Sequence, residues 1–465
     1  MDTSKNPELW GFAKNFLYTA ILLVVALGVI VVSFPDGAAA ILVVLILSGF
    51  CLMVFRHFTV EKEFITQVFL LALVLRLGFG IFVHLADLRE FFGGDALTYD
   101  YRGNILLESW MGTLNPHSID AFLATSTAGP GWGMYYIVAT LYGMLGRNIF
   151  AAQSFCGVIG AATAPMVFFC AKRIYANTSA AKLAAVLVAV FPAFIIWSSQ
   201  LLKDGLIIFL LVLTMTLVLE LQERLSASAI ALLGLSLVGI LSLRFYIFYM
   251  VVIAVVGSFT IGVSNSTKSI VTRTAVLAIL GLALTYFGVI RLASADLEKY
   301  GNLSRLQNSR LDLSRAGSGF GSEGDVSTAS GAITAIPVGF LYLMFAPFPW
   351  QLGSLRQAIA LPEVIIWWAM MPLLFAGLVY SIKHRLRNAL PMLLFSLMLT
   401  FAYSVFQANV GTAYRQRTQI QVFLFIFIAV GWTLGKEKRA DRKLARIQKQ
   451  QRLEAALRSR EGIRS

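Results

Sequence analysis

The sequence predicts an all-α membrane protein that crosses the bilayer about twelve times. Of its 465 residues, 58% are hydrophobic and only 13% are charged, with a mean hydropathy of +0.76. A soluble chain of this length could not bury so much apolar surface, so lipid must solvate part of it. The apolar residues form runs of roughly 20, the length of a spanning helix, and not the short alternating segments of a β-barrel.

The cysteines give no sign of a disulfide framework or a thiolate metal site. Cys51, Cys156 and Cys170 all lie inside apolar runs, and the sequence contains no CxxC motif and no Cys/His pairing. Cysteines in such surroundings are typically small buried hydrophobic residues.

Half of the formal net charge of +14 is concentrated at the C-terminal end of the sequence. Residues 436–465 contain eleven Lys or Arg and four Asp or Glu, so half of the excess lies in this tail. A basic, helix-forming tail after a spanning run is typical of a cytoplasmic segment near anionic headgroups. The tail therefore predicts contact with membrane lipids and no nucleic-acid partner.

Positive charges in short loops mark the cytoplasmic side of a membrane. Lys5 and Lys14 precede the first apolar run, at about 15–34, which places the N-terminus inside. The second run, 38–55, returns to the basic segment RHFTVEKE. The third run, 64–86, then exits and brings the stretch FFGGDALTYDYRG, residues 91–103, to the outer face.

The remaining runs follow the same rule. They cover residues 149–171, 181–199, 204–221, 228–243, 246–263, 274–291, 362–382, 389–407 and 419–435. Segments 131–146 and 336–350 are rich in Gly, Pro, Trp and Tyr, which predicts interfacial or re-entrant helices on the outer side. The prediction is one transmembrane domain, residues 1–435, with outer loops at 87–147 and 292–361, a cytoplasmic tail at 436–465, and both termini cytoplasmic.

This topology brings ionisable residues from five parts of the chain to one membrane surface. They are Asp95, Asp100 and Arg102; Lys203 and Asp204; Arg244; Glu363; and Arg415 and Arg417. A charge near hydrocarbon costs a few kcal/mol unless it is paired or hydrated, so such a set predicts a functional site. Arg76, near the middle of the third run, must likewise pair or line a polar cavity.

The residue types indicate a particular chemistry. A carboxylate can act as general base toward a hydroxyl, and arginine and lysine can hold a phosphate. Aromatic residues such as Trp132, Tyr135, Tyr136 and Trp350 could stack on a sugar ring or anchor the interface. Together these residues favour a lipid-phosphate-linked sugar as the donor.

Each group also has a purely structural interpretation. Asp100 and Arg102 could form a local surface pair, and Asp204 could stabilise the start of a helix. The arginines at 415 and 417 could simply flank the last span. In the outer loop 292–335, the first part could be a basic helix over the site, and the Gly/Ser-rich second part is either a flexible lid or disordered.

The region 87–225 resembles the GT-C superfamily of membrane glycosyltransferases, in particular protein O-mannosyltransferases and aminoarabinose transferases. Asp95 and Tyr99 in GGDALTYDYRG are similar to the family's acid and following tyrosine in the first outer loop. The segments GPGWGMYYIVATLYGMLGRN, AKRIY and FPAFIIWSSQLLKDGLIIFL are similar to the parts that follow. The chain differs in having one acid in place of the usual acidic pair, and more spans before that acid than the one that is usual in the family.

The resemblance implies a GT-C-like fold and an inverting glycosyltransferase in a bacterial cytoplasmic membrane. The donor would be a polyprenyl-phosphate sugar, and the acceptor hydroxyl would belong to a glycan, a lipid or a protein. Asp95 would be the catalytic base, with Lys203, Arg244, Arg415 and Arg417 on the leaving phosphate. The candidate substrate-binding set is completed by Tyr99, Asp100, Arg102 and Asp204.

Two other functions remain open. A Wzy-like O-antigen or exopolysaccharide polymerase also has about twelve spans and outer arginines, and Arg310 with Gly321 matches its arginine–ten–glycine spacing. A transporter or flippase of a lipid-linked sugar would need a polar path through the membrane, and Arg76 alone does not provide one. No cofactor is indicated, although Asp95 and Asp100 could help hold a divalent metal.

Overall fold

The computed structural model describes residues 36–115, 117–120, 123, 131–261, 267–300, 302–315, 318–321 and 325–461. In these ranges the chain is helical apart from turns, bends and one isolated antiparallel bridge between Gly319 and Asn409. The first predicted span, at about 15–34, lies outside the described residues.

The helices of the first half begin before the predicted outer loop and continue into the bundle. In order they are α1 (Asp36–His57), α2 (Lys62–Leu85), α3 (Arg89–Gly93), α4 (Asp95–Trp110), α5 (Trp132–Leu145), α6 (Ile149–Tyr175), α7 (Thr178–Val190), α8 (Pro192–Ser198) and α9 (Asp204–Glu223).

The helices of the second half include two that lie in the predicted outer loop 292–335. In order they are α10 (Ala227–Leu243), α11 (Phe245–Ile261), α12 (Thr267–Tyr286), α13 (Val289–Tyr300), α14 (Leu303–Ser314), α15 (Ala329–Phe345), α16 (Leu355–Ala369), α17 (Met371–His384), α18 (Leu386–Phe406) and α19 (Val410–Glu461).

The chain is an all-α, multi-pass membrane protein. In its described part six helices are long and apolar enough to span a bilayer, or up to nine if each of three bent pairs counts as one span. Within the described residues, every predicted run from 38–55 onward falls on a helix or a bent pair. Three further apolar helices, α10, α11 and α15, are shorter, so the count of twelve stays a prediction.

Burial separates the central helices from the peripheral ones. Most of α6, α9 and the apolar part of α19 is buried inside the bundle, whereas α1 leaves side chains such as Leu45, Ile46 and Met53 exposed. An outward apolar face of this kind is what lipid solvates. Helix α19 is continuous for 52 residues, so the basic tail extends the last central helix without a break.

Arg76 binds backbone carbonyls at the break between α7 and α8, two helices that meet at an angle of 55°. Pro192 has no backbone N–H, so the carbonyl of Val188 loses its helical donor. Arg76 replaces it, since Nη2 donates to the Val188 carbonyl at 3.3 Å and Nη1 to the Ala189 carbonyl at 3.2 Å. Its Nε also donates to Ser198 Oγ at 2.8 Å. The buried arginine is therefore paired with backbone and hydroxyl oxygens.

Replacing Arg76 with methionine is expected to destabilise the protein. The substitution leaves the buried carbonyls of Val188 and Ala189 without this donor, and each such group costs about 1–3 kcal/mol. Thermal unfolding of the purified protein in detergent measures the loss. Arg446→Met, on the exposed tail of α19, is the control and should unfold at the wild-type temperature; equal midpoints for both variants would contradict the role given to Arg76.

Candidate active site

A cavity of about 860 Å³ lies at one end of the bundle, where α8 leads into α9, α10 into α11 and α18 into α19. Four of the predicted site residues line it: Asp95, Lys203, Arg244 and Arg415. Much of the remaining wall is apolar or aromatic, formed by Phe92, Ile196, Trp197, Phe245, Pro347, Ile359, Ala360 and Phe406. The cavity thus combines a cationic region with an apolar one.

Asp204 connects two arginines beneath the cavity. It is the first residue of α9 and its side chain is 0% exposed. Arg244 Nη2 donates to Asp204 Oδ1 at 3.0 Å, and Arg415 Nε donates to Asp204 Oδ2 at 2.7 Å. Because both carboxylate oxygens are occupied by guanidinium groups, Asp204 can position the arginines but cannot itself reach a ligand.

Asp95 is the carboxylate bound to Arg415 that reaches the cavity. It begins α4, and its side chain is 53% exposed although Arg415 Nη1 donates to its Oδ2 at 2.8 Å. Arg415 therefore joins Asp95 and Asp204, which lie 109 positions apart in the sequence. A partly exposed carboxylate beside fixed cations has the placement that a general base requires.

Lys203 contributes a cation without a counter-ion. It lines the cavity next to Asp204, and in the part of the chain that the structure describes its ammonium group has no hydrogen bond or ion pair. Gly131 makes room for it, because a Cβ there would lie 2.7 Å from Lys203 Nζ. Gly131 also has φ +90°, a conformation that disfavours side chains.

The charges of the cavity do not cancel. The lining carries four cations, Lys203, Arg244, Arg356 and Arg415, and two carboxylates, Asp95 and Asp312, and Asp204 adds a third carboxylate beneath it. An excess positive charge beside an apolar wall is poorly solvated, and binding an anion there relieves that cost. The electrostatics therefore favour an anionic ligand, and arginine with lysine suits a phosphate.

Two tyrosines that the sequence analysis did not select contact Arg244. Its Nη1 donates to Tyr246 Oη at 3.1 Å and to Tyr403 Oη at 3.3 Å. Tyr403 donates in turn to Gln419 Oε1 at 2.6 Å. Tyr403 is a tyrosine within a largely apolar run, whereas Gln419 lies in the polar stretch 415–421 and has no distinctive sequence signal.

Residues from the end of α14 and the segment after it form the roof of the cavity. Asp312, Leu313 and Ser318 line it, with the first two at the end of α14. The segment after α14 pairs with the chain before α19: Phe320 N donates to the Ala408 carbonyl at 2.8 Å, and Ser318 Oγ to Asn409 Oδ1 at 3.0 Å. Helix α14 therefore ends over the cavity, and the segment after it is hydrogen-bonded to the bundle.

Asp100 lies on another face of α4 and belongs to a separate cluster. Tyr142 Oη donates to Asp100 Oδ1 at 2.6 Å, and Arg147 Nη2 lies 2.6 Å from Oδ2. Burial and the bond to Asp100 raise the pKa of Tyr142. Asp100 therefore ties α4 to α5 and pairs with Arg147, where the sequence suggested a pair with Arg102.

Tyr99 and Arg102 also lie outside the lining of the cavity. Tyr99 is buried, with its ring 5.9 Å from that of Tyr135. Burial, and secondarily the neighbouring Asp95, raise the pKa of Tyr99. The Arg102 guanidinium lies 5.5 Å from the Tyr135 ring centre. Both side chains therefore contribute to the packing of α4 on α5.

Arg417 points away from the cavity. Its side chain is fully buried, and Nη1 donates to the carbonyls of Met344 and Ala346, each at 3.0 Å. These carbonyls end α15, so Arg417 caps that helix. Glu363 is buried as well, and its Oε2 accepts a hydrogen bond from the Tyr414 hydroxyl at 2.5 Å. Neither residue lines the cavity.

The aromatic residues of the cavity differ from those selected by sequence. Trp197, Tyr246 and Tyr414 line it, whereas Trp132, Tyr135, Tyr136 and Trp350 do not. The Arg415 guanidinium lies 5.5 Å from the Trp197 ring centre, a distance at which a cation interacts with an aromatic face.

The acids of this region do not converge on a metal. Within the described ranges no three His, Cys, Asp or Glu side chains form a group that could hold a metal ion. Asp95 and Asp100, the two acids considered for a divalent ion, bind Arg415 and Arg147 respectively. These side chains do not fit a divalent metal, and the mechanism proposed for the site uses none.

Comparison with known protein families and with curated proteins found no match. Comparison with solved structures found a likeness to the archaeal oligosaccharyltransferase AglB from Archaeoglobus fulgidus, solved with an inhibitory peptide and a dolichol-phosphate. The two are 14% identical, with a TM-score of 0.40 over 67% of this chain and 43% of that protein. A likeness of this extent is too weak to assign a function.

Proposed function

We propose that the cavity is the active site of an inverting glycosyltransferase. The enzyme moves a sugar from a polyprenyl-phosphate-linked donor, such as an undecaprenyl-phosphate sugar, to an acceptor hydroxyl. The observation that carries the proposal is the excess positive charge of Lys203, Arg244 and Arg415 next to a half-exposed carboxylate, Asp95.

The proposed reaction assigns each of these groups a role. The acceptor hydroxyl attacks the anomeric carbon on the face opposite the phosphate, and the new C–O bond forms as the bond to the phosphate oxygen breaks. Asp95 takes the proton of the hydroxyl. The phosphate leaves with the lipid, and Lys203, Arg244 and Arg415 stabilise the negative charge that develops on it.

The apolar wall supports a lipid-linked donor. Ile196, Ile359 and Phe406 line the same cavity as the cations, and Ile359 is half exposed at the bundle surface. A phosphate bound by the cations would thus have apolar side chains beside it for the first isoprene units. A nucleotide sugar has no lipid chain that these apolar side chains could contact.

We place the site at the outer face of a bacterial cytoplasmic membrane, with both termini inside. The positive-inside rule supports this orientation, because the cytoplasmic ends carry clusters such as Lys383–Arg387 and the tail of α19. The corresponding biological role is the assembly of a cell-surface polysaccharide or glycolipid, with a glycan, lipid or protein as acceptor.

A polymerase of lipid-linked repeat units is the second candidate. Arg310 Nη2 donates to the Gly321 carbonyl at 3.2 Å, so the two residues with the arginine–ten–glycine spacing are in contact. Arg310 lies outside the lining of the cavity, however, and the proposed roles of Asp95 and Lys203 are those of a transferase.

Loss of the protein is expected to cause accumulation of a polyprenyl monophosphate that carries one sugar, because this donor is no longer consumed. Mass spectrometry of extracted lipids from cells with and without the protein measures it, and complementation with the wild-type chain is the control. Accumulation of complete repeat units on a lipid diphosphate would contradict the transferase and support the polymerase.

A further inference from the structure

A series of polar contacts beneath the floor of the cavity forms a ring that the backbone of α19 closes. Asp204 binds both Arg244 and Arg415, as described above. On the far side, Arg244 donates to Tyr403, and Tyr403 donates to Gln419. Gln419 follows Arg415 by four positions on α19, which places the two side chains on one helix face, one turn apart. The ring therefore returns to Arg415 through the backbone of α19.

The two added members of the ring cannot touch a ligand in the cavity. Tyr403 is 1% exposed and Gln419 is 0% exposed, and neither lines the cavity. Burying a phenol and an amide among the apolar side chains of α18 and α19 is costly unless they are hydrogen-bonded. Their hydrogen bonds lead to Arg244, a cation of the site, so any effect they have on binding acts through that arginine.

Arg244 needs such support because of where it lies. It occupies the break between α10 and α11, where its backbone has an extended conformation and no helix restrains its side chain. Asp204 holds Nη2 and the two tyrosine hydroxyls hold Nη1. A guanidinium fixed at both ends keeps its remaining N–H groups in one direction, which recognition of a phosphate requires.

We propose that Tyr403 and Gln419 are positioning residues that hold the Arg244 guanidinium beside Arg415, so that both arginines contact one phosphate group. This inference rests on the proposed function. The Tyr403 hydroxyl is the central element of the ring. It accepts a hydrogen bond from Arg244 and donates one to Gln419, which lies on the same helix as Arg415. Shifting α19 would thus displace both arginines together.

The test measures binding of undecaprenyl phosphate to the full-length protein in lipid nanodiscs. Tyr403→Phe is expected to raise the dissociation constant about 10-fold, the size of one lost hydrogen bond to a charged group. Tyr175→Phe is the matched control: it removes another buried hydroxyl, which bonds to Ser381 at 2.5 Å outside the site. The control should bind as the wild type does.

A double-mutant cycle separates positioning from general stability. If Tyr403 acts through Arg244, then Tyr403→Phe has no further effect on binding in an Arg244→Gln background. A purely structural role would lower affinity by the same factor in both backgrounds and would overturn the inference. Gln419→Leu, which keeps the Tyr403 hydroxyl, gives a second measure should Tyr403→Phe fail to fold, and it should weaken binding about 3-fold.

The outcomes for the two proposals differ. Wild-type protein that binds undecaprenyl phosphate, with Tyr403→Phe and Gln419→Leu binding equally well, overturns the positioning role and leaves the proposed function intact. Wild-type protein that does not bind undecaprenyl phosphate overturns the proposed function, and this inference with it. Weakened binding by both variants, coupled to Arg244, supports the inference.

Discussion

Replacing Asp95 with asparagine is expected to lower the rate of glycan transfer by about 10²- to 10⁴-fold, the range that a general base contributes. Asp95 lines the cavity, pairs with Arg415 and has 53% of its side chain exposed. An amide of the same shape cannot take the proton of the acceptor hydroxyl. The loss should therefore appear in the chemical step.

The same substitution should leave the fold and donor binding intact. The asparagine oxygen can still accept the hydrogen bond that Arg415 Nη1 donates at 2.8 Å. Removing one carboxylate also increases the positive charge of the cavity, which favours an anionic donor. We therefore expect kcat to fall while KM for the donor stays the same or decreases.

Asp312 provides the matched control for this variant. It also lines the cavity, and its side chain is largely exposed, but it lies in the roof and its ion pair to Arg315 is long, at 3.9 Å. Asp312→Asn should retain activity close to that of the wild type. Mass spectrometry of the glycan product compares the three proteins, and full activity of Asp95→Asn would rule out Asp95 as the base.

The predicted fold followed largely from composition, and the differences have local causes. The run 181–199 is not one helix, because Pro192 lacks the N–H that would continue α7 and the chain bends by 55°. The run 362–382 bends by 45° where α16 ends and α17 starts, with Pro372 in the first turn. Both prolines are visible in the sequence, but the direction of each bend depends on packing against other helices.

The positive-inside rule predicted that Asp95, Lys203, Arg244 and Arg415 lie at one end of the bundle. These four residues line the cavity. Their partners could not be predicted in this way. Arg415 contacts Asp95 across 320 positions of sequence, a separation for which helical periodicity gives no information. Helical periodicity does explain why Arg417 points away from the cavity. It follows Arg415 by two positions, a rotation of about 200° around the helix, so its side chain faces α15.

Replacing Asp204 with asparagine is expected to destabilise the protein by about 3–5 kcal/mol, the usual cost of removing one partner of a buried ion pair. Asp204 is 0% exposed and carries the charge that both Arg244 and Arg415 require. An asparagine would leave two buried guanidinium groups without their shared counter-ion. Thermal unfolding and the yield of folded protein in detergent measure the effect.

Asp100→Asn is the control for a charge that is less buried. Asp100 also binds an arginine, Arg147, but the side chain of that arginine is 52% exposed. Water can solvate the arginine after the substitution, so we expect a loss of about 1 kcal/mol or less. Equal unfolding temperatures for Asp204→Asn and the wild type would contradict the structural role of Asp204.

Arg415→Met separates stability from activity in the same network. This variant leaves Asp204 paired with Arg244 at 3.0 Å, so no buried charge loses its only partner and the loss of stability should be smaller than in Asp204→Asn. Donor binding should nevertheless weaken, because Arg415 is one of four cations that line the cavity. If Asp204 positions the arginines and the arginines bind the phosphate, Arg415→Met should fold but bind undecaprenyl phosphate poorly. Asp204→Asn should give little folded protein.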